Sequence, residues 1–332
     1  MTGKYLIIWI VAVGLLCVGC LREEEEAFSQ VRGAIVGGNP ASSPEDAVAV
    51  ALAVRLEEST LAFCSGALIA PDVVLTAAHC VDSSSEFSFE AIWNRGLVRV
   101  VAGESLDAED AAHYEVLRYV IHPAFNPEAA RHDLAILWLD RPVADAYVYP
   151  ILEDTASVTQ MAKDHHAVRF LGYGLDEEGR EGRRLEVSGA VSGICTRKQT
   201  LQEEGCMVKL ESGTYLLPYG TFMHSIEQGG PCQGDSGGPV LAQWKGETYL
   251  VGIVLGGDGG CRLIGVTTLL ALRSNWIQEK LYGDDGSSDC HAGNLRATRP
   301  AGRRTGFVPW LAVILLALVR GSSTLWPRRV RK

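Results

Sequence analysis

Gly234-Asp235-Ser236-Gly237-Gly238-Pro239 is the stretch of this 332-residue chain on which the reading turns. The glycine before Asp235 lets the backbone present the amide groups of Gly234 and Ser236. Working outward, Asp133-Leu134-Ala135-Ile136-Leu137 and Thr76-Ala77-Ala78-His79-Cys80 come before it, and Ile35-Val36-Gly37-Gly38 earlier still. Taken singly, these segments admit bland readings. A histidine beside a cysteine is usually structural, and Asp-Leu-Ala-Ile-Leu is a buried strand entered from a turn.

In this order the four segments resemble the chymotrypsin/trypsin family over roughly Ile35 to Tyr282. The resemblance implies an exported serine endopeptidase with His79, Asp133 and Ser236 as its catalytic triad. A serine hydroxyl is a poor nucleophile at neutral pH, so His79 must take the Ser236 proton and later return it to the leaving amine. Asp133 would fix the imidazole tautomer, and the Gly234 and Ser236 amides would form the oxyanion hole. The resemblance also implies activation by cleavage before Ile35, the new amine pairing with Asp235. Ala34 precedes Ile35, so the activating protease is expected to prefer a small residue or to trim in two steps.

The expected fold is all-β, with two antiparallel six-stranded β-barrels and a C-terminal helix. Short apolar runs at 47–56, 67–75, 97–102, 135–139, 167–173 and 249–255 suit such strands. Residues 269–281 have a helical rhythm, with Leu272, Trp276 and Leu281 on one face. By resemblance, Cys64 pairs with Cys80 and Cys232 with Cys261. Cys195 and Cys206 remain as a local pair by elimination, and Cys290 is left over: free, modified or joined to a partner. The substrate pocket falls to Gly230, Leu255, Gly257 and Gly265. Gly230 stands where trypsin-like relatives carry the aspartate that binds Arg or Lys, and Gly257 and Gly265 leave the walls open, so a large apolar or aromatic residue is expected before the cut bond. Leu255 replaces a usual serine near the triad aspartate, and Asp258 could restore some basic preference.

A composition of 47% hydrophobic and 21% charged residues suits a globular core, and the length fits one domain with appended ends. A net charge of −10 argues against nucleic-acid binding. Neither a metal-ligand cluster nor a nucleotide loop is visible, so no catalytic cofactor is expected. Residues 1–20 read as a signal peptide; Gly19-Cys20 resembles a bacterial lipoprotein signal with lipidation at Cys20, the alternatives being plain cleavage or a retained anchor. Residues 21–34 form an acidic spacer or propeptide, 35–282 the peptidase domain and 283–306 a linker. Residues 307–332 join an apolar segment to an Arg-rich tail, read as a membrane anchor, a sorting signal like those of some Gram-negative bacteria, or a docked helix. Expected partners are protein or peptide substrates, an activating protease and a membrane at one or both ends. The expected location is the bacterial periplasm, the outer membrane or cell surface, or the medium. A catalytically silent binding module on the same fold and an esterase using the same serine are the competing functions.

Overall fold

The short apolar runs do form strands, and alternation along them decides what each strand buries. The computed structural model describes residues 35–283 except 36–37, 58, 84–87, 110, 177–179, 197–204, 211–212, 226–228, 259–260 and 262–263. The signal region, the spacer, the linker from residue 284, the C-terminal tail, Cys20 and Cys290 lie outside the described residues. After a two-residue strand β1 (Asn39–Pro40), six strands follow: β2 (Ala49–Arg55), β3 (Thr60–Ala70), β4 (Val73–Thr76), β5 (Val98–Ala102), β6 (Ala112–Ile121) and β7 (Ala135–Leu139). They close an antiparallel barrel in the order β2-β3-β4-β7-β6-β5. The run expected at 67–75 is split between β3 and β4, because Pro71 and Asp72 make a turn.

A second six-stranded antiparallel ring is built from β8 (Ala167–Gly172), β9 (Leu185–Cys195), β12 (Thr221–Ser225), β13 (Pro239–Trp244), β14 (Glu247–Gly257) and β15 (Ile264–Leu269). Its order is β8-β9-β12-β15-β14-β13, closed by β13 on β8, with β1 added beside β9. Between β9 and β12 the hairpin β10 (Gly205–Leu210) and β11 (Gly213–Pro218) stands apart. Helices α1 (Phe89–Asn94), α2 (Thr155–Lys163) and α3 (Ser274–Tyr282) complete the fold. The C-terminal helix starts at Ser274, later than the rhythm from 269 suggests. Leu269 ends β15 and gives its amide to Gly220 O, and buried Arg273 donates to the Gly220 and Leu269 carbonyls, which holds this stretch outside the helix. Ile277 is the fully buried residue of α3, with Trp276 and Leu281 half-buried beside it.

β2 shows how the barrels share a core. Val50 and Leu52 point into the first barrel, with Leu68, Val74 and Leu137. Ala49, Ala51 and Ala53, on the opposite face, pack with Leu171, Leu241, Leu250 and Ile253 of the second. A strand buried on both faces reads as a continuous apolar run, which is what its sequence is. Tyr173 crosses the same interface, its hydroxyl donating to Ala49 O or Gly103 O, at 3.2 and 2.5 Å.

All three expected disulfides form: Cys64–Cys80, Cys195–Cys206 and Cys232–Cys261. The first ties β3 to the turn carrying His79 across a sequence separation of 16. Loop-closure entropy assigns a link of this size about 3 kcal/mol. Replacing Cys64 and Cys80 together with alanine is expected to lower the unfolding free energy by about that amount, read from denaturant midpoints; an unchanged midpoint would contradict it.

Candidate active site

β4 delivers the chain to a 3₁₀ turn, Ala78–Cys80, which presents His79 with its side chain 18% exposed. Asp133 stands at the entrance to β7 and is fully buried. The loop before it places Ala130 and His132 at φ 48° and 51°, a backbone region that side chains seldom adopt. The His132 ring stacks on His122, centroids 4.6 Å apart, and His122 in turn packs on Trp276 of α3. Burial and the nearby Arg273 charge lower the His122 pKa to about 4, so this support is neutral.

Asp133 engages His79 twice. Oδ1 accepts the His79 backbone N–H at 2.9 Å and Oδ2 meets Nδ1 at 2.6 Å. An ionised carboxylate only accepts, so the ring proton sits on Nδ1 and Nε2 is left as an acceptor. Burial opposes protonation of His79, but the Asp133 charge and hydrogen bond outweigh it and raise the pKa above the ordinary value.

The Ser236 loop is pinned from both barrels. Gly237 N–H donates to Val254 O at 2.8 Å, Gly238 N–H to Asp235 O at 2.9 Å, and Ser65 N–H on β3 to Ser236 O at 2.8 Å. Ser65 Oγ donates to Gly234 O at 2.8 Å and accepts Tyr173 N–H at 2.9 Å. Cys80 Sγ lies 3.6 Å from Ser236 O, which sets the serine loop against the histidine turn. Gly234 has φ 92°, and a Cβ there would approach Gly174 Cα to 2.7 Å, so both conformation and space demand glycine. Among the described residues the Gly234 and Ser236 amides have no main-chain acceptor. Ser236 Oγ bonds Leu255 O at 3.4 Å rather than His79, and Leu255 is the extra residue of a register shift between β14 and β15. Such bulges re-aim a strand locally.

Asp235 is fully buried and accepts Gly174 N–H at 2.9 Å and Cys232 N–H at 2.8 Å. Burial pushes its pKa up to about 7 against the pull of those two bonds. In this continuous chain Ile35 is not its partner; the Ile35 side chain is buried with Leu152, Val158 and Phe170 in the second barrel.

Of the expected pocket residues, Gly230 is buried one residue before Pro231, and Gly257 and Gly265 face each other across β14 and β15. The expectation of open space beside Gly265 fails: a Cβ there would collide with the His224 imidazole, which fills it. Asp258 is also spoken for, since it is buried and its carboxylate accepts Ile264 N–H at 3.1 Å. Leu255 lies in an apolar cluster with Met223, Ile264 and Val266. Ser65 and His224 escaped the sequence reading. Their one signal is a polar residue inside an otherwise buried strand.

A family model described as Trypsin matches residues 35–277. The chain belongs to the trypsin family. The family is one of serine-type endopeptidases, and residues 35–277 are such a hydrolase domain. The chain is 31% identical over 262 residues to serine protease 56 of Mus musculus, covering 76% of this chain and 39% of that protein. It is 29% identical over 257 residues to the vitellin-degrading protease of Bombyx mori, covering 74% of this chain and 85% of that protein. Both are animal proteins, which gives no support to a bacterial source.

Ser65→Ala removes the hydroxyl from the part-buried Gly234 O and from the buried Tyr173 N–H. It is expected to cost about 2 kcal/mol of stability by denaturant unfolding and to slow acylation of Ser236 about tenfold in stopped-flow assays. Unaltered acylation would exclude a positioning role for Ser65.

Proposed function

We propose that this chain is an exported serine endopeptidase that hydrolyses peptide bonds through an acyl-enzyme on Ser236. The observation carrying this reading is the buried Asp133 carboxylate 2.6 Å from His79 Nδ1, which leaves Nε2 free to accept a proton. Ser236 Oγ attacks the peptide carbonyl while its proton passes to Nε2. The tetrahedral oxyanion is met by the Gly234 and Ser236 amides. His79 returns the proton to the leaving amine as the C–N bond breaks, and water, deprotonated by His79, then releases the acyl group. Leu255 stands where relatives carry a serine, and among the described residues His79 supplies the hydrogen bonds to the Asp133 carboxylate.

Activation is cleavage before Ile35. Its new amine would pair with Asp235, relieving a carboxylate that among the described residues has two amides against its burial. The raised pKa sets the sign. Uncleaved, the Asp235 contribution favours folding below about pH 4 and is lost as pH rises toward about 7. The gain in Tm on cleavage is therefore expected to be larger at pH 8 than at pH 5, and an equal gain at both would contradict the pairing.

Export is supported by three disulfides, which persist in oxidising compartments. Lipidation at Cys20 and membrane attachment at either end complete the proposal for location. At the cut bond the preferred side chain is non-basic, since Gly230 brings no charge to the pocket and Asp258 is bound to Ile264. The expectation of a large apolar or aromatic side chain drew on open walls at Gly257 and Gly265, and the His224 ring closes the wall at Gly265.

Fluorophosphonate labelling tests the activity directly, comparing full-length protein, protein begun at Ile35, and Ser236→Ala of the shortened form. Labelling confined to the shortened wild-type form is expected. A folded shortened form that takes no label would replace the peptidase with a silent binding module.

A further inference from the structure

His224 on β12 is fully buried, and its Nε2 has no hydrogen-bond partner among the described residues. An unmatched donor or acceptor in a protein interior calls for an explanation. The ring packs on Phe170, centroids 4.1 Å apart, with Phe222 at 6.4 Å, so an apolar side chain would have suited this position better.

The register says where Nε2 points. His224 pairs with Gly265, and Gly265 pairs with Gly257, so the three stand in one row across β12, β15 and β14 on one face. The edge of the ring bearing Nε2 and Cε1 overlies Gly265, in the space a Cβ would otherwise take. A Cβ on Gly257 would lie 3.7 Å from Gly265 Cα and 3.4 Å from Pro231 O. The imidazole therefore lies over Gly265, and Gly257, the next residue in the row, borders the Gly230-Pro231-Cys232 segment that leads to Ser236.

The other ring nitrogen, Nδ1, lies 3.5 Å from Thr267 Oγ1. A hydroxyl donating there leaves the single proton of a neutral imidazole on Nε2. Desolvation keeps the ring neutral, with its pKa lowered to about 3. The strand row beside the Gly230-Pro231-Cys232 segment thus carries an N–H donor whose acceptor is not found among the described residues.

We propose that His224 sets the specificity of the peptidase by donating from Nε2 to the terminal oxygen of a glutamate or glutamine side chain immediately before the cut bond. This rests on the peptidase reading above and narrows it from non-basic to acceptor-bearing. A leucine or phenylalanine would bury the N–H unpaired. An arginine would oppose donor to donor. A site built to satisfy a hydrogen bond discriminates more strongly than one that only fits a shape.

The test is a set of fluorogenic peptides, identical except for Glu, Gln, Leu, Phe or Arg before the scissile bond, assayed with protein begun at Ile35. Rates are divided by the fraction of protein that fluorophosphonate labels, so absence of label brings down the peptidase reading itself, whereas labelled protein with the wrong preference brings down only this proposal. Wild type is expected to favour Glu and Gln over Leu and Phe by about tenfold or more in kcat/KM. His224→Ala is expected to shrink that ratio about tenfold, and His224→Gln, which keeps an N–H donor, to retain part of it. If His224→Ala does not fold, the wild-type ratios and His224→Gln decide. A labelled wild type that prefers Phe or Leu, or a His224→Ala variant with the wild-type ratio, overturns the assignment.

Discussion

One buried hydroxyl, that of Ser65, joins the first barrel to the loop bearing Ser236 and to the chain leaving β8. His79 and Asp133 are placed by β4 and β7, Ser236 by the segment before β13, and the two groups come from different barrels. Apolar packing between barrels is strong but non-directional. It brings the two halves together without fixing rotation to the accuracy an acyl transfer needs. Ser65 supplies direction: its N–H holds Ser236 O, its Oγ holds Gly234 O, and its own carbonyl accepts Thr76 Oγ1 just before the His79 turn. Where hydrogen bonds converge in a dry interface, each is costly to lose, and the geometry is correspondingly stiff.

Two buried carboxylates serve this site in opposite ways. Asp133 has an imidazole beside it and holds it twice, so its burial raises the basicity of a partner. Among the described residues Asp235 is met by the amides of Gly174 and Cys232, and its own proton affinity rises instead. The same residue type becomes an orienting anion before β7 and an unsettled charge before β13. Neighbours decide this, not depth.

The candidate triad His79, Asp133 and Ser236 could be picked out in the sequence because the surroundings of each are local words, read within a few residues. The paired barrels and the Cys64–Cys80 and Cys232–Cys261 disulfides followed from the same resemblance, and Cys195–Cys206 by elimination. What stayed hidden depends on partners distant in the chain. Ser65 meets Gly234 across 169 positions and Tyr173 across 108, and nothing next to Ser65 announces either. His224 sits in a five-residue strand with Phe222 and Met223, where periodicity registers only that the strand is buried. The late start of α3 has the same origin, since the Gly220 carbonyl, far back in the chain, claims the Leu269 amide and overrides the helical rhythm. The open pocket wall was misjudged because a glycine reports the absence of its own side chain and says nothing of who fills the space.

The alanine face of β2 places a limit on how this molecule can vary. Ala49, Ala51 and Ala53 set the distance at which the second barrel rides on the first. An added methylene at any of them would wedge the barrels apart, and the displacement would be felt at the far end of the lever, between His79 and Ser236. The alignment of the reacting groups is in this sense gauged by three methyl groups that touch no substrate. Drift in the chain has room on the faces turned to water, while this row works as a shim whose thickness cannot change without retuning the pieces on both sides.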